Sequence, residues 1–479
     1  MLIEDVLRHA SERGTARAIV AHDARWSYAE LADRVDAMAA ALARRGVTPG
    51  QTVALVFPNS SAFVLTLLAL GRLGAIALPL GADLSDAEMQ AAVDLAGARL
   101  VLGRDEYTRA TVESWSAEAA ARWQPPMVDP DAPFLRQITS GTSGARRHVV
   151  RTHAQVTAAA DALQRGAATG PDDRFLGLVP FSHGHGLSNA LVAALHVGGT
   201  LVVQERFDRR GTLRILAEEA VTVFPAVPFL VSILAETRIK DPIDLSSLRL
   251  AFTGGGPLTA AVWRKMHDRF GVDVGQSYGS TETATLTLNP GAVSEGPTLS
   301  VGRPLPGVTV AVLDDEGRLC PIEQPGEVVV KSPGAAVEVY GTDGRHRLAD
   351  GDGWIRLGDL GYLSRDGRLT LTGRRSLTIT VAGLKVNPWE VEAVIRAHPR
   401  VCDVVVVGIP DRYGEEFVKA VVVADGCTAS DIQVHCRQRL PDHKVPRVVE
   451  FRATIRRYPT GKIILSELVG SPPQPQPTR

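Results

Sequence analysis

Apolar and polar positions change rhythm twice along the chain. After residue 27, Leu31, Val35, Met38, Ala39 and Leu42 recur at the spacing of a helix with one buried face. Ser27 and Glu30 ahead of them fit S-x-x-E, in which the two side chains satisfy the first free N–H groups of a helix, and Gly46 closes the segment. Ser85 and Glu88 repeat that start signal, and Asn59 and Ser60 can cap a helix after the apolar run 53–57. Further short apolar runs fall at 100–102, 133–138, 175–179, 201–203, 221–224 and 250–252, with helix-like stretches between most of them. This alternation predicts α/β layers around a largely parallel sheet.

After about residue 300 the pattern becomes β-rich. Apolar runs at 308–313, 327–331 and 369–372 are separated by turns at 314–317 and 365–367, which predicts a small β subdomain or barrel. Beyond residue 374 a helix near 389–397, strands at 401–409 and 418–423 and a helix at about 430–440 predict a small α+β domain. The expected organisation is a large region over 1–373, its β-rich part at about 300–373, then a separate C-terminal domain over 374–470. The tail 471–479, SPPQPQPTR, has the proline-rich composition of a disordered segment. No internal repeats are visible.

Composition narrows the function classes. The 479 residues suggest two or three domains, and 52 basic against 53 acidic residues leave a net charge of −1. That balance weighs against a polyanion-binding surface over the whole molecule, so nucleic acid is not an expected partner; a local basic pocket is compatible with it. The four cysteines, Cys320, Cys402, Cys427 and Cys436, show no CxxC spacing, so neither a disulfide framework nor a structural zinc is expected. The start MLIEDVLRHA is acidic where a signal peptide needs basic and then apolar residues, and the runs 63–70 and 404–409 fall short of a membrane span. The expectation is a soluble protein of a reducing cytoplasm; the oligomeric state leaves no signal.

Candidate chemistry starts at TSGTSG: Thr139, Ser140, Gly141, Thr142, Ser143 and Gly144, followed by Arg146, Arg147 and His148. Two glycines let backbone amides turn inward, four hydroxyls add donors and two arginines add charge, so the loop can wrap the outer phosphates of a nucleotide. GxxxxGK[ST] is absent, and alone the stretch reads equally well as a flexible linker. Further on, residues 276–283 read QSYGSTET: Tyr278 can stack on a purine, Thr281 can hold a phosphate oxygen and Glu282 can ligate Mg2+. Asp359, in Gly358-Asp359-Leu360 after Trp354, suits the two hydroxyls of a ribose, and Lys462 follows a glycine turn in PTGK. Each has a plain reading too: Tyr278 as core, Asp359 as a turn residue, Arg374 as partner of a local acid, Lys462 as a solvated lysine.

Taken together, TSGTSG, YGSTE, GDL, Gly373-Arg374 followed by GLKVNPWEVE at 383–392, and PTGK stand in the order of the acyl-adenylating (AMP-forming) superfamily. That superfamily includes acyl-CoA synthetases, peptide-synthetase adenylation domains and firefly-type luciferases. The chain resembles it from about residue 3 to residue 468. The resemblance implies a pyrophosphate-side loop at Thr139–Gly144 with Arg147, an adenine slot between Gly254, Gly255, Gly256 and Tyr278, and nucleotide contacts from Gly279 and Ser280. It makes Thr281 and Glu282 the α-phosphate and Mg2+ contacts, Asp359 and Arg374 the ribose contacts, and Lys462 the lysine bridging carboxylate, α-phosphate and ribose. It also implies a C-terminal domain that moves between two half-reactions.

Two positions depart from the family pattern. Arg146, Arg147 and His148 replace Pro-Lys-Gly, which keeps the charge at Arg147 but loses the proline; Ser376 stands where many members carry Asp or Lys at the pivot. PFSHGHGL at 180–187 resembles the segment that opens the acyl pocket, with His183 at the usual aromatic-or-His position. Gly184 stands where amino-acid-activating members place an aspartate, and a buried ammonium without a counter-charge is costly, so α-amino acids are disfavoured. His183, Gly184, His185, Ser188, Asn189, Ala226, Val227 and Gly256 are the pocket candidates; aryl and short- or medium-chain acids both fit. Gly383 matches a glycine beside the pantetheine path of CoA-using relatives. The implied activity is an ATP-dependent acid ligase forming acyl-AMP and then a CoA thioester. The alternatives are transfer to a separate carrier protein or an amine, a luciferase-like oxidoreductase, and a non-catalytic nucleotide binder.

Overall fold

The computed structural model describes residues 1–103, 111, 114–115, 123–140, 146–240, 242–291, 300–341, 344–411, 415–457, 463–464 and 467–468. The chain divides into two compact units, one of residues 1–310 and 330–355 and one of residues 311–329 and 356–479.

The first unit is built on two sheets. In one, the parallel strands Thr52–Leu55, Ile76–Pro79 and Leu100–Leu102 continue into Pro133–Ser140, which turns back through an antiparallel hairpin to Arg146–Thr152. The apolar run expected at 133–138 therefore extends into the first two residues of TSGTSG, with Thr139 opposite Arg147 and Ser140 opposite Arg146. Here the sheet is antiparallel rather than parallel, because so short a connection can only reverse the chain.

In the second sheet the parallel strands Arg17–Val20, Thr200–Val203, Arg174–Gly177, Val223–Ala226, Leu250–Thr253 and Val274–Ser280 lie side by side, and Ala284–Asn289 then returns antiparallel. Their apolar residues close one core: Leu176, Val202, Phe224, Ala251 and Val274 are all buried in it. The helices carry the start signals read from sequence. Ser27, Ser60 and Ser85 accept from the backbone N–H three residues on, with Glu30 and Glu88 completing the boxes at Ser27 and Ser85. In open α/β sheets ligands gather beyond the carboxyl ends of the parallel strands.

The second unit holds most of four neighbouring strands, Thr309–Leu313, Gly326–Lys331, Ile355–Leu363 and Leu369–Arg374. A hairpin follows (Ile379–Val381 and Leu384–Val386), then a three-stranded sheet of Val401–Pro410, Glu416–Ala424 and Val448–Phe451. Helices Pro388–Arg396 and Ala429–Arg437 contribute Val391, Ile395, Ile432 and Cys436 to its core. No described helix is long and apolar enough to cross a membrane.

Candidate functional site

Where Val274–Ser280 reverses into Ala284–Asn289, the loop is only Thr281, Glu282 and Thr283. It closes this tightly for two reasons. A Cβ on Gly279 would lie 2.1 Å from the Ala284 carbonyl oxygen, so only glycine fits, and Ala284 itself takes a positive φ of 56°. Buried Thr283 fixes the loop from beneath: its hydroxyl accepts from the Ser280 N–H at 3.2 Å. Thr281 and Glu282 are left half-buried at the tip, while Tyr278 is buried and Gly279 is exposed.

The neighbouring strand end, after Thr253, is Gly254, Gly255 and Gly256. A Cβ on Gly254 would lie 2.7 Å from the His185 ring and 3.0 Å from Ser277 Oγ, so the backbone passes where a side chain cannot. Its N–H donates to Ala226 O at 3.2 Å, which ties it to the end of the strand Val223–Ala226. A Cβ on Gly256 would meet Pro228 at 3.9 Å, next to buried Val227.

The third segment holds His183, exposed at the start of the short helix Gly184–Gly186, and runs into a π-helical turn, Leu187–Val192, carrying Ser188 and Asn189. Such turns occur often at functional sites. The Thr285 hydroxyl donates to Asn189 Oδ1 at 2.8 Å, so the Asn189 amide donates to His185 Nδ1 at 2.9 Å. This fixes the imidazole as the Nε2–H tautomer. Burial pushes its pKa down to about 4, so the ring is neutral at physiological pH.

Underneath lie two residues that pattern reading missed. Gln137 and Arg151 are 2% and 1% exposed, on the same face of the hairpin that leads into TSGTSG. Arg151 Nη2 donates to Gln137 Oε1 at 2.6 Å. Burial lowers Arg151 to about 10, opposed by the field of Glu282, so the guanidinium stays charged. The available signal was a glutamine and an arginine inside runs otherwise apolar enough for a buried sheet. Thr283 and Thr285 were missed as well; they act by fixing a loop and a tautomer, roles with no sequence signature.

The segments converge: Gly254 meets His185 and Ser277, and the Cβ direction of Gly184 lies 3.9 Å from Thr281 Cα and 3.7 Å from Gln137 Nε2. Thr139 and Arg147 pair at the end of the hairpin next to its connection, half-buried and exposed. In the second unit Asp359 and Arg374 face each other across a strand pair, with Arg374 Nε 3.4 Å from Asp359 Oδ1 and Arg374 Nη2 donating to Leu357 O at 3.3 Å. Gly383, at φ 79°, is exposed at the tip of the hairpin Ile379–Val381 and Leu384–Val386. Gly141, Thr142, Ser143, Gly144 and Lys462 lie outside the described residues, as does the tail 471–479.

Mg2+ seeks one or two carboxylates and completes its shell with phosphate and water oxygens. Glu282 is one half-buried carboxylate with no ion pair among the described residues, so its chemistry fits that ion. No described cluster of three or more His, Cys, Asp or Glu offers a protein-only metal cage.

Parallel strands ending at glycine- and hydroxyl-rich turns, followed by a small α+β unit, suit an enzyme that binds a nucleotide at those strand ends. The chain belongs to the AMP-binding enzyme family, whose profile matches residues 6–340, while the AMP-binding enzyme C-terminal domain matches 390–462. It is thus an AMP-forming acid ligase, as the motif order implied. It is 30% identical to a fatty acid–[acyl-carrier-protein] ligase of Streptomyces coeruleorubidus, covering 98% of this chain and 95% of that protein. It is 31% identical to a long-chain-fatty-acid–CoA ligase of Mycobacterium tuberculosis, covering 93% of each. In structure it is similar to the Bacillus subtilis o-succinylbenzoate coenzyme A synthetase in complex with ATP and magnesium ion, with a TM-score of 0.85, 27% identity, and 97% and 98% of the two chains covered.

Proposed function

We propose that the chain activates a carboxylic acid with ATP and transfers the acyl group to the thiol of coenzyme A. In the first half-reaction a carboxylate oxygen bonds to the α-phosphorus, the bond from that phosphorus to the bridging oxygen breaks, and pyrophosphate leaves with the electron pair. In the second, the thiol sulfur bonds to the carbonyl carbon, AMP leaves with the C–O electron pair, and the thiol proton passes to solvent.

The observation that supports this best is the nearness of Gly184 to Thr281, where a Cβ on the glycine would lie 3.9 Å from Thr281 Cα, which sets the acyl side against the phosphate side. Two anions must meet there, so the barrier is dominated by charge. The Thr281 hydroxyl suits the α-phosphate, and Glu282 would hold Mg2+, whose charge offsets that on the phosphate oxygens. Thr139–Gly144 with Arg147 suits the departing pyrophosphate; Gly254–Gly256, Tyr278, Gly279 and Ser280 suit the adenine side; Asp359 with Arg374 suits the ribose. Lys462 supplies a cation to the same phosphate. A mobile domain starting after residue 373 lets that lysine be withdrawn for thiol attack, with Gly383 beside the thiol path.

The test is carboxylate-dependent exchange of labelled pyrophosphate into ATP. Lys462→Ala is expected to lose roughly 10²–10³ in rate. Normal exchange by that variant overturns the lysine's role. A second acceptor reading has a specific basis, since one relative is a carrier-protein ligase. Adenylate offered to coenzyme A and to a carrier protein separates the two; a chain that forms no CoA thioester with any acid overturns the first. A small carboxylic acid is then the first partner; a cytoplasmic location and independence of nucleic acid complete the reading.

A further inference from the structure

The amide of Gln137 has one fixed orientation. Its partner Arg151 can only donate, so the glutamine oxygen faces the guanidinium and Nε2 faces away. That Nε2 is buried and has no hydrogen-bond partner among the described residues. It points at the space beside Gly184, where a Cβ would lie 3.7 Å from it and 3.9 Å from Thr281 Cα. Arg151 sharpens the demand: a guanidinium on Oε1 polarises the amide and makes Nε2–H a stronger donor, and Arg151 Nε and Nη1 also lack partners. A buried donor left unpaired costs stability. With glycine at 184 no side chain of that residue can pair it, so a ligand oxygen entering the space beside Gly184 would find a free donor there.

We propose that Gln137 is a specificity-determining residue that selects acids carrying an oxygen acceptor on the carbon next to the carboxyl-bearing one, or at the α-carbon itself: ortho-hydroxyaryl acids or 2-hydroxy acids. This rests on the adenylation reading, because Thr281 locates the phosphate and therefore the carboxyl group beside that space. Arg151 acts as a positioning residue through Gln137. An α-ammonium there would face an N–H donor backed by a positive charge, which rejects α-amino acids independently of the aspartate that Gly184 replaces.

The experiment measures pyrophosphate exchange by the full chain on matched pairs, 2-hydroxybenzoate against benzoate and 2-hydroxyhexanoate against hexanoate. The hydroxylated member of one pair is expected to lead by roughly 10- to 100-fold in kcat/KM, the worth of one hydrogen bond to a polarised donor. Which pair responds distinguishes the aryl from the aliphatic source. Gln137→Met removes the donor at similar volume, and Gly184→Ser supplies a protein hydroxyl to it; in both the ratio should collapse towards one. Because the Cβ contacts at Gly184 are ordinary van der Waals distances, that variant keeps the inference testable even if Gln137→Met fails to fold. A wild-type ratio near one in both pairs overturns the inference, as does a ratio that survives either substitution. A uniform loss across all four acids in the variants also overturns it, since Nε2 would then serve the reacting carboxylate itself. Exchange with none of the four by wild type, while other acids are adenylated, overturns the substrate class alone; exchange with no acid at all overturns the adenylation reading with it.

Discussion

Two arginines, one in each unit, meet opposite fates. Arg374 is half-buried and its charge is met within the chain, by Asp359 at 3.4 Å. Arg151 is 1% exposed and, among the described residues, has a neutral amide as its side-chain hydrogen-bond partner and two nitrogens unpaired. The difference teaches where selectivity resides. A pair already neutralised can hold a neutral diol without further cost, as suits a ribose shared by every turnover. A charge with no acid in direct contact, only the field of Glu282, polarises the amide in front of it, as suits the variable partner, the acid.

The contrast breaks most sharply at Asp359. Asp359→Ala removes the acceptor and leaves Arg374 unanswered; with charged hydrogen bonds worth about 1.5–3 kcal/mol each, kcat/KM for ATP should fall roughly 10- to 100-fold. An unchanged value in ATP titrations would remove the ribose assignment. Arg151→Met is the opposite case. Removing the guanidinium leaves the buried Gln137 oxygen unpaired, which costs about 1–3 kcal/mol and lowers Tm, while kcat/KM for oxygen-bearing acids falls about tenfold with that for plain acids unchanged. A fall in kcat/KM that is equal for plain and oxygen-bearing acids would show that the guanidinium is structural support instead.

Acidification sharpens the comparison with opposite signs. In the first unit, burial holds His148 and His153 down at about 4. Between pH 6.5 and 4 the unfolded chain takes up protons there that the folded chain refuses, so stability falls with pH by about 1.4 kcal/mol per unit for each histidine. In the second unit burial raises Glu392 to about 7. The folded chain holds a proton there that the unfolded one releases, so lowering pH from 7 to 4.5 stabilises that unit. Melts from pH 7 to 5 should show the first unit losing stability, less steeply in His148→Met, and Glu392→Gln should flatten the second unit's response. The smallest effect is at the turns: Ala284 and Ala382 hold positive φ of 56° and 47°, and glycine at either should gain about 0.5–1 kcal/mol, read as a modest rise in Tm.

Much of the site was legible because its chemistry and its backbone demands coincide in sequence. Thr281 and Glu282 are neighbours because a three-residue loop that Gly279 allows to close presents them together, and Gly254–Gly256 lie in one run because the backbone must pass a ring. Gln137 and Arg151 are separated by fourteen positions and meet only through hairpin register, so no local window reveals them. Asn189 and Thr285, ninety-six apart, fix a histidine tautomer by the same kind of long-range encounter. Likewise the short apolar runs announced strands, but the reversal at TSGTSG became visible only as a paired ladder.

By itself the sequence determined the alternating layers, the helix starts and the family of chemistry, because period, capping and motif are properties of neighbouring residues. Only the tertiary structure decided which buried donor stays unpaired, which arginine finds an acid and which way an amide faces. Those follow from desolvation and hydrogen-bond geometry between distant segments, and they exist only once the chain has closed around them.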